Sequence, residues 1–369
     1  MEFAYSIDVD QTQLPYLCSP EYLNSRNKPN GILQEIPPTI QAHVHHLQKI
    51  EGIQVSQIAS GQIHLIKIWF AFDGNQKIIG KVAAPTRPNF KMLMIAGMHA
   101  REWLAMEIVL TIARTLAEKP FLPQTTSSSI VELHIIPCVN MIGYSSTASV
   151  FYPTKFKTMK NGQLLTSSAA AEVRNTRKQW MLEGIDLNRC FDSHWEKNQE
   201  KDDPEHATYP GSKVLEHPFC KALADLTLSE NYDFVLDVHD YGNMIVKYPC
   251  FDPGANQLTS IELQNFESAA KTLKPVHELL ISLLFPGRSY EDAVQRPYDA
   301  FGLYTDWCTS KHGIPAAVVE IGDKTSRFTA DTNDNLKMER VCAHKLLQFV
   351  VLMASQHKNL SETLKQYVC

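Results

Sequence analysis

The feature that most constrains this chain is a set of short apolar runs with little polar alternation. Lys91 to Ala96, Phe234 to Val238 and Ala316 to Ile321 are of this kind. A strand with one wet face alternates apolar and polar residues, so near-continuous apolar runs suit central strands covered on both faces. Further strand-like runs lie at His64 to Phe72, Lys77 to Val82 and Ile130 to Val139, with Asp73-Gly74-Asn75 as a hairpin-type turn. Helical spacing of apolar residues covers 39–50, Trp103 to Leu116, Ile261 to Leu284 and Leu336 to Ser355. Strands alternating with helices predict an α/β domain: a central mixed, largely parallel β-sheet flanked by helices.

Composition narrows the function classes. A length of 369 residues permits one to three domains. A net charge of −5 argues against nucleic-acid binding driven by bulk electrostatics. No run approaches the roughly 18 apolar residues of a membrane span; Leu346 to Ala354 is short and broken by Gln348. The N-terminus shows no basic segment followed by an apolar one, so a cytoplasmic location is expected, or secretion if the chain is a processed or truncated form. The eight Cys include no C-x-x-C pair, which disfavours a zinc ribbon or a thioredoxin-type site and suggests free thiols. Residues 1–37, rich in Pro, Asn and Ser, read as an extension, and 38–369 as one catalytic domain. The irregular stretches 141–180 and 190–214 are long enough to be functional loops.

Four places carry chemistry, each at or near an expected strand end, where α/β sheets bind ligands. Gly97-Met98-His99-Ala100-Arg101-Glu102-Trp103 follows the first buried run and holds the chain's only His-x-x-Glu. His99 and Glu102 can face one metal ion, or Glu102 can simply favour a helix N-terminus. Asp237-Val238-His239-Asp240-Tyr241 ends the second run; His239 completes a two-His, one-carboxylate zinc set or is a satisfied core histidine. Glu320 ends the third run, as a general base or as an ion-pair partner of Lys324. Arg174-Asn175-Thr176-Arg177 and Asp186-Leu187-Asn188-Arg189 form a basic cluster, suited to a carboxylate or an oxyanion, or a solvated loop.

These motifs, followed by Tyr298, Asp306-Trp307 and Val319-Glu320-Ile321, occur in an order that closely resembles the zinc metallocarboxypeptidases of the carboxypeptidase A and B type. The resemblance runs from about residue 40 to the C-terminus. It implies a carboxypeptidase-like, zinc exopeptidase fold and one Zn2+ per chain on His99, Glu102 and His239. It implies that Glu320 is the general base and that Arg174 polarises the scissile carbonyl. Asn188 and Arg189 match the grip on the free C-terminal carboxylate, Tyr298 the tyrosine that closes over the bound residue, and Arg101 and Tyr241 the substrate groove. Asp186 matches the acid that orients the first zinc-binding histidine.

Thr305 matches the base of the specificity pocket. B-type enzymes carry an acid there and A-type enzymes an apolar side chain, so Thr305 disfavours basic substrates and points to a neutral C-terminal residue. Leu303 and Tyr304 are bulkier than the small residues usual in that turn. Glu216-His217-Pro218 also departs from the family pattern, in a packing segment. Too few residues precede His99 for a full folded propeptide, which sets latency and secretion aside as expectations. The partners implied are peptide or protein C-termini, and the protein itself is expected to be a monomer. Two rivals stand beside this reading: an amidohydrolase or deacylase of related fold acting on acyl amino acids or acidic tails, and a catalytically dead binding scaffold. His43, His45 and His46 are expected at a helix surface, and Met92 and Met94 in the core.

Overall fold

A computed structural model describes residues 40–100, 102–122, 129–141, 144, 159–160, 163–164, 184–204, 206, 208–255, 258–322, 333–356 and 360–368. The expected extension, 1–37, lies outside the described residues, as do Arg101, Arg174, Arg177 and Lys324.

The chain enters through α1 (Ile40–Leu47) and then lays down β1 (Ile53–Ile58), β2 (Ile63–Phe72), β3 (Ile78–Val82) and β4 (Phe90–Ala96). Helix α2 (Trp103–Ala117) is followed by β5 (Phe121–Leu122) and β6 (Ser129–Ile136); β7 (Met159–Lys160) and β8 (Gln163–Leu164) form a separate pair. Then come α3 (Pro218–Glu230), β9 (Phe234–His239), β10 (Met244–Val246), α4 (Ser260–Leu284), α5 (Tyr290–Ala293), β11 (Val294–Gln295), α6 (Tyr304–His312), β12 (Ala316–Glu320), α7 (Asn333–Gln356) and α8 (Leu360–Leu364). The main sheet has ten strands in the order β11-β10-β12-β9-β4-β6-β2-β3-β5, with β1 pairing β2. Its centre, β12-β9-β4-β6, is parallel; β2 is antiparallel to β1, β3 and β6. The mixed, largely parallel expectation holds.

The buried runs are continuous because alternate residues enter two different cores. In β4, Met92, Met94 and Ala96 pack with α2 and α7, while Leu93 and Ile95 pack with α3 and α6 on the other face. Burial on both faces is what the sequence displays as unbroken hydrophobicity. Met92 and Met94 are fully buried, as expected. His45 and His46 are exposed, but His43 turns inward beside Val44, a correction to the expectation that all three decorate the surface. The six described cysteines are free and buried. Among the described residues, no helix is long and apolar enough to cross a membrane.

Candidate metal and peptide-carboxylate site

The carboxyl ends of β4, β9 and β12 meet at one place. Ala96 lies beside Val238, and His239 stands opposite Glu320 in the parallel β9–β12 register. The chain leaves β4 through Gly97, whose φ is +68°; a Cβ there would sit 2.9 Å from Cys138 Sγ and 3.0 Å from its Cα. Only glycine combines that turn with that approach. The turn delivers His99, whose carbonyl accepts from the Glu102 amide at 3.1 Å.

Glu102 is the N-cap residue of α2, yet its side chain makes no capping hydrogen bond. Its two oxygens instead reach two imidazoles: Oε1 lies 2.8 Å from His99 Nδ1 and Oε2 lies 2.7 Å from His239 Nδ1. That observation decides between the two readings of the His-x-x-Glu, because a carboxylate serving the helix would face its first-turn amides. The ligand atoms of His99, Glu102 and His239 all lie within 4.8 Å of one another. Two ring nitrogens and a buried carboxylate oxygen are the donor set of a zinc site.

The electrostatics suit a cation-binding site. Burial alone lowers a histidine's pKa, but at His99 the Glu102 and Asp186 charges and hydrogen bonds outweigh it and raise the ring to about 9. Burial likewise opposes ionisation of Glu102, and His99 and His239 overcome it, holding this carboxyl well below the usual range. Asp186 Oδ1 lies 3.1 Å from His99 Nε2 and also accepts from the Asn188 amide at 3.0 Å. Against its burial, Arg189 and His99 hold Asp186 down to about 2. Glu320 is raised to about 7, first by burial, with His239 and His99 pulling it down and Glu102 pushing it up. A carboxyl near 7 can both take and return a proton at neutral pH.

Asp186, Asn188 and Arg189 form one short turn, with Leu187–Arg189 as a single 3-10 turn and all three side chains buried. Asn188 Oδ1 accepts from the Tyr304 amide at 3.1 Å, and its Nδ2 lies 3.3 Å from His239 Nε2. Arg189 donates to the Asn188 carbonyl at 2.7 Å and to the Tyr298 hydroxyl at 2.8 Å. Tyr298 is 58% exposed, so the phenol that covers the guanidinium is also free to swing from it. Tyr241 follows His239 by two residues and is partly exposed, whereas Thr305 is buried at the start of α6.

The structure therefore brings His99, Glu102, His239, Asp186, Asn188 and Arg189 together, with Glu320 beside them and Tyr298 over Arg189. Arg101 and Arg174 are not among the described residues. Sequence reasoning missed three contributors. Asp237 Oδ2 lies 3.0 Å from His239 Nε2. Asp240 is buried beside the same ligand, where burial, then Glu102 and Glu320, push its carboxyl well above the ordinary range. Gly302, at φ +72°, lets the 298–305 segment press on the Arg189 backbone: a Cβ there would meet the Arg189 carbonyl oxygen at 2.2 Å. The signals for the first two were their places flanking His239; a lone glycine gave none.

A parallel α/β sheet with two histidines and a glutamate gathered at its strand ends is the frame of a mononuclear zinc site. The zinc carboxypeptidase family (Peptidase_M14) matches residues 50–340, and this chain belongs to it. Carboxypeptidase A6 of Homo sapiens is 25% identical over 290 residues, which is 75% of this chain and 57% of that protein. Gamma-D-glutamyl-L-diamino acid endopeptidase 1 of Lysinibacillus sphaericus is 24% identical over 259 residues, 66% of this chain and 57% of its own length. The inactive metallocarboxypeptidase ECM14 of Paracoccidioides lutzii is 24% identical over 208 residues, 53% of this chain and 32% of its own. The matched region thus spans little more than half of the first two relatives. The fold is that of the carboxypeptidase A from Helicoverpa armigera, with a TM-score of 0.57 at 16% identity, covering 86% of this chain and 73% of that one.

Proposed function

We propose that this protein is an active zinc carboxypeptidase that removes a neutral C-terminal residue from peptides or proteins. The observation that carries the reading is the bridge of Glu102 between the inner nitrogens of His99 and His239, with Glu320 in register beside them. Zinc on those three donors supplies an acidified water and a Lewis acid for the scissile carbonyl. Glu320 takes the proton from the attacking water and later gives it to the leaving amine. Arg174 holds the charge that develops on the carbonyl oxygen. Arg189, an always-charged fork, reads the free carboxylate together with Asn188, and Tyr298 closes over the bound residue. Tyr241 lines the groove, where the family resemblance also assigns Arg101.

Neutral specificity draws support from the wall beside the carboxylate grip. Thr305 is neutral and buried, and Cys250, Ala300 and Leu303 pack together against Val246. Asp306, the nearby acid, already accepts from the Cys250 amide at 2.8 Å.

Two relatives keep rival activities in view. The endopeptidase from Lysinibacillus favours an amide-hydrolase reading, and ECM14 a dead scaffold. Retention of both histidines, Glu102 and Glu320 speaks against the scaffold, and retention of Asn188, Arg189 and Tyr298 against an enzyme blind to a free carboxylate. A peptide library varying only the last residue, with C-terminally amidated controls, tests all three. Release of neutral residues from free termini is expected. Equal cleavage of the amidated peptides rejects the exopeptidase, and no release from any peptide rejects the activity.

A further inference from the structure

We propose that Asp237 is the positioning carboxylate of His239, playing behind the second histidine the part that Asp186 plays behind the first. The inference rests on the reading above, that His99, Glu102 and His239 hold zinc.

Successive residues of a strand point to opposite faces, so Asp237 and His239 share one face of β9. It is the face that carries Val235, packed among α3 and α6. Asp237 is fully buried there, and among the described residues no hydrogen bond reaches either of its oxygens. An ionised carboxylate so placed costs several kcal/mol unless a cation or a strong donor meets it. The group that meets it is the His239 ring, with Oδ2 3.0 Å from Nε2.

The two imidazoles are placed alike, although only the Asp186 contact has hydrogen-bond geometry; Asp237 stands within reach of Nε2, and a small turn of the ring aims the N–H at it. His99 directs Nδ1 at Glu102 and Nε2 at Asp186, 2.8 and 3.1 Å away. His239 directs Nδ1 at Glu102 and Nε2 at Asp237, 2.7 and 3.0 Å away. A neutral imidazole has one N–H and one lone pair, and a metal on Nδ1 requires the proton on Nε2. A carboxylate behind Nε2 selects that tautomer and fixes the ring's orientation.

At His239 the selection is contested. The Asn188 side-chain amide lies 3.3 Å from the same Nε2 and can donate only to a lone pair there. Asn188 thus favours the tautomer with Nδ1–H, which cannot bind a metal, and Asp237 favours the competent one. Once Nε2 carries the proton toward Asp237, the Asn188 N–H loses its ring acceptor and is left for a substrate carboxylate. Asp237 therefore acts twice: it readies His239 for the metal, and it releases Asn188 for the peptide terminus.

The test is zinc affinity by chelator competition on the full chain, for the wild type, Asp237→Asn and His239→Ala, alongside thermal unfolding of each zinc-free protein. Asp237→Asn should still bind one zinc at saturation, but about 10–100-fold more weakly. Its zinc-free unfolding midpoint should not fall, because a buried charge has been removed. Wild-type affinity in Asp237→Asn, with zinc lost in His239→Ala, overturns the role of Asp237 and leaves the ligand set standing. Wild-type affinity in His239→Ala overturns the ligand set, and the inference with it. A measurement on the wild type alone guards against a variant that does not fold. In protein labelled with nitrogen-15 at histidine, both rings whose Nδ1 shifts on zinc loading should carry an Nε2–H shielded from solvent exchange. A freely exchanging Nε2–H on the His239 ring overturns the proposal.

Discussion

The two ends of the central strands hold two clusters of the same residue types that have opposite fates. At the carboxyl end stand His99, Glu102 and His239; at the other, Glu132, His134 and Glu230, again with ligand atoms within 4.8 Å of one another. The difference is lysine. Lys67 pairs with Glu230 at 2.7 Å, and Lys91 reaches both Glu230 and Glu132, the latter at 3.3 Å. His134 spends Nε2 on Glu132 at 2.7 Å and Nδ1 on the Tyr232 hydroxyl at 2.6 Å. That cluster already contains its cations and is an ion-pair network. Glu102, among the described residues, pairs with two imidazoles and no lysine or arginine. Carboxylates and histidines in proximity do not by themselves make a metal site; among the described residues, the two clusters differ in whether lysines already neutralise the carboxylates.

The comparison breaks most simply at the histidines. His239→Ala should abolish zinc binding and, with it, all turnover. His134→Ala should leave one zinc per chain, read by metal analysis after dialysis. Zinc lost from the His134 variant, or a second zinc in the wild type, would show the lysine-filled cluster to be a metal site after all. Next in size is Glu320→Gln. It should keep zinc yet lose about 10²–10⁴-fold in kcat, the usual contribution of a general base. Full activity in that variant removes Glu320 from the chemistry.

Arg189→Ala should act on binding. Loss of a charged hydrogen-bond donor is worth about 1.5–3 kcal/mol, or roughly 10–100-fold in KM for peptides with a free terminus. No change should appear in zinc content. A fall in kcat alone would move Arg189 from reading the terminus to stabilising the reaction.

How much of this was legible depended on whether a residue's neighbours are close in sequence. His99 and Glu102 sit on one turn between a buried strand and a helix, so spacing alone put them together. His239 and Glu320 could be read as strand ends, but their register partnership is a property of the sheet. Asp237 stood in plain view two residues before His239, yet nothing in the sequence says that the face they share is closed over by α6. That helix escaped notice for the same reason. Tyr304 to Ser310 are all buried, so no polar face alternates with an apolar one and no helical period shows. The strand expected over Ile130–Val139 stops at Ile136, because Pro137 has no N–H to give; the Val139 and Asn140 amides nonetheless reach the carbonyls of Ala96 and Gly97. Edge strand β1, with five of its six residues partly or fully exposed after Ile53, lacks the burial that betrays a strand.

The smallest effect is the finest probe of the comparison, because Glu132 in the lysine cluster and Asp306 beside the cleft should answer pH in opposite directions. In the lysine cluster, burial opposes ionisation of Glu132, but the His134 hydrogen bond and charge, with Lys91, lower its pKa to about 2. A depressed carboxyl gives stability that is present above its unfolded value, near 4.5, and lost as pH falls toward 2. Beside the cleft, burial raises Asp306 to about 7 despite the Cys250 amide, Arg296 and Arg189. Between the unfolded value, 3.8, and 7 the folded protein therefore binds the extra proton, so stability falls as pH rises through that window. Glu132→Gln should remove its share of the acid-side loss, leaving that of Asp186 and Glu102, and should leave the neutral side unchanged. Asp306→Asn, which keeps an acceptor for the Cys250 amide, should flatten the decline between about pH 4 and 7, at most about 1.4 kcal/mol per pH unit. Denaturant unfolding across pH reads both slopes. If Asp306→Asn keeps the wild-type slope above pH 4, the cleft carboxyl is ionised in the folded state. Its neighbours Arg296 and Arg189 would then neutralise it as the lysines neutralise Glu132, and the contrast between the two ends would be confined to the zinc ligands themselves.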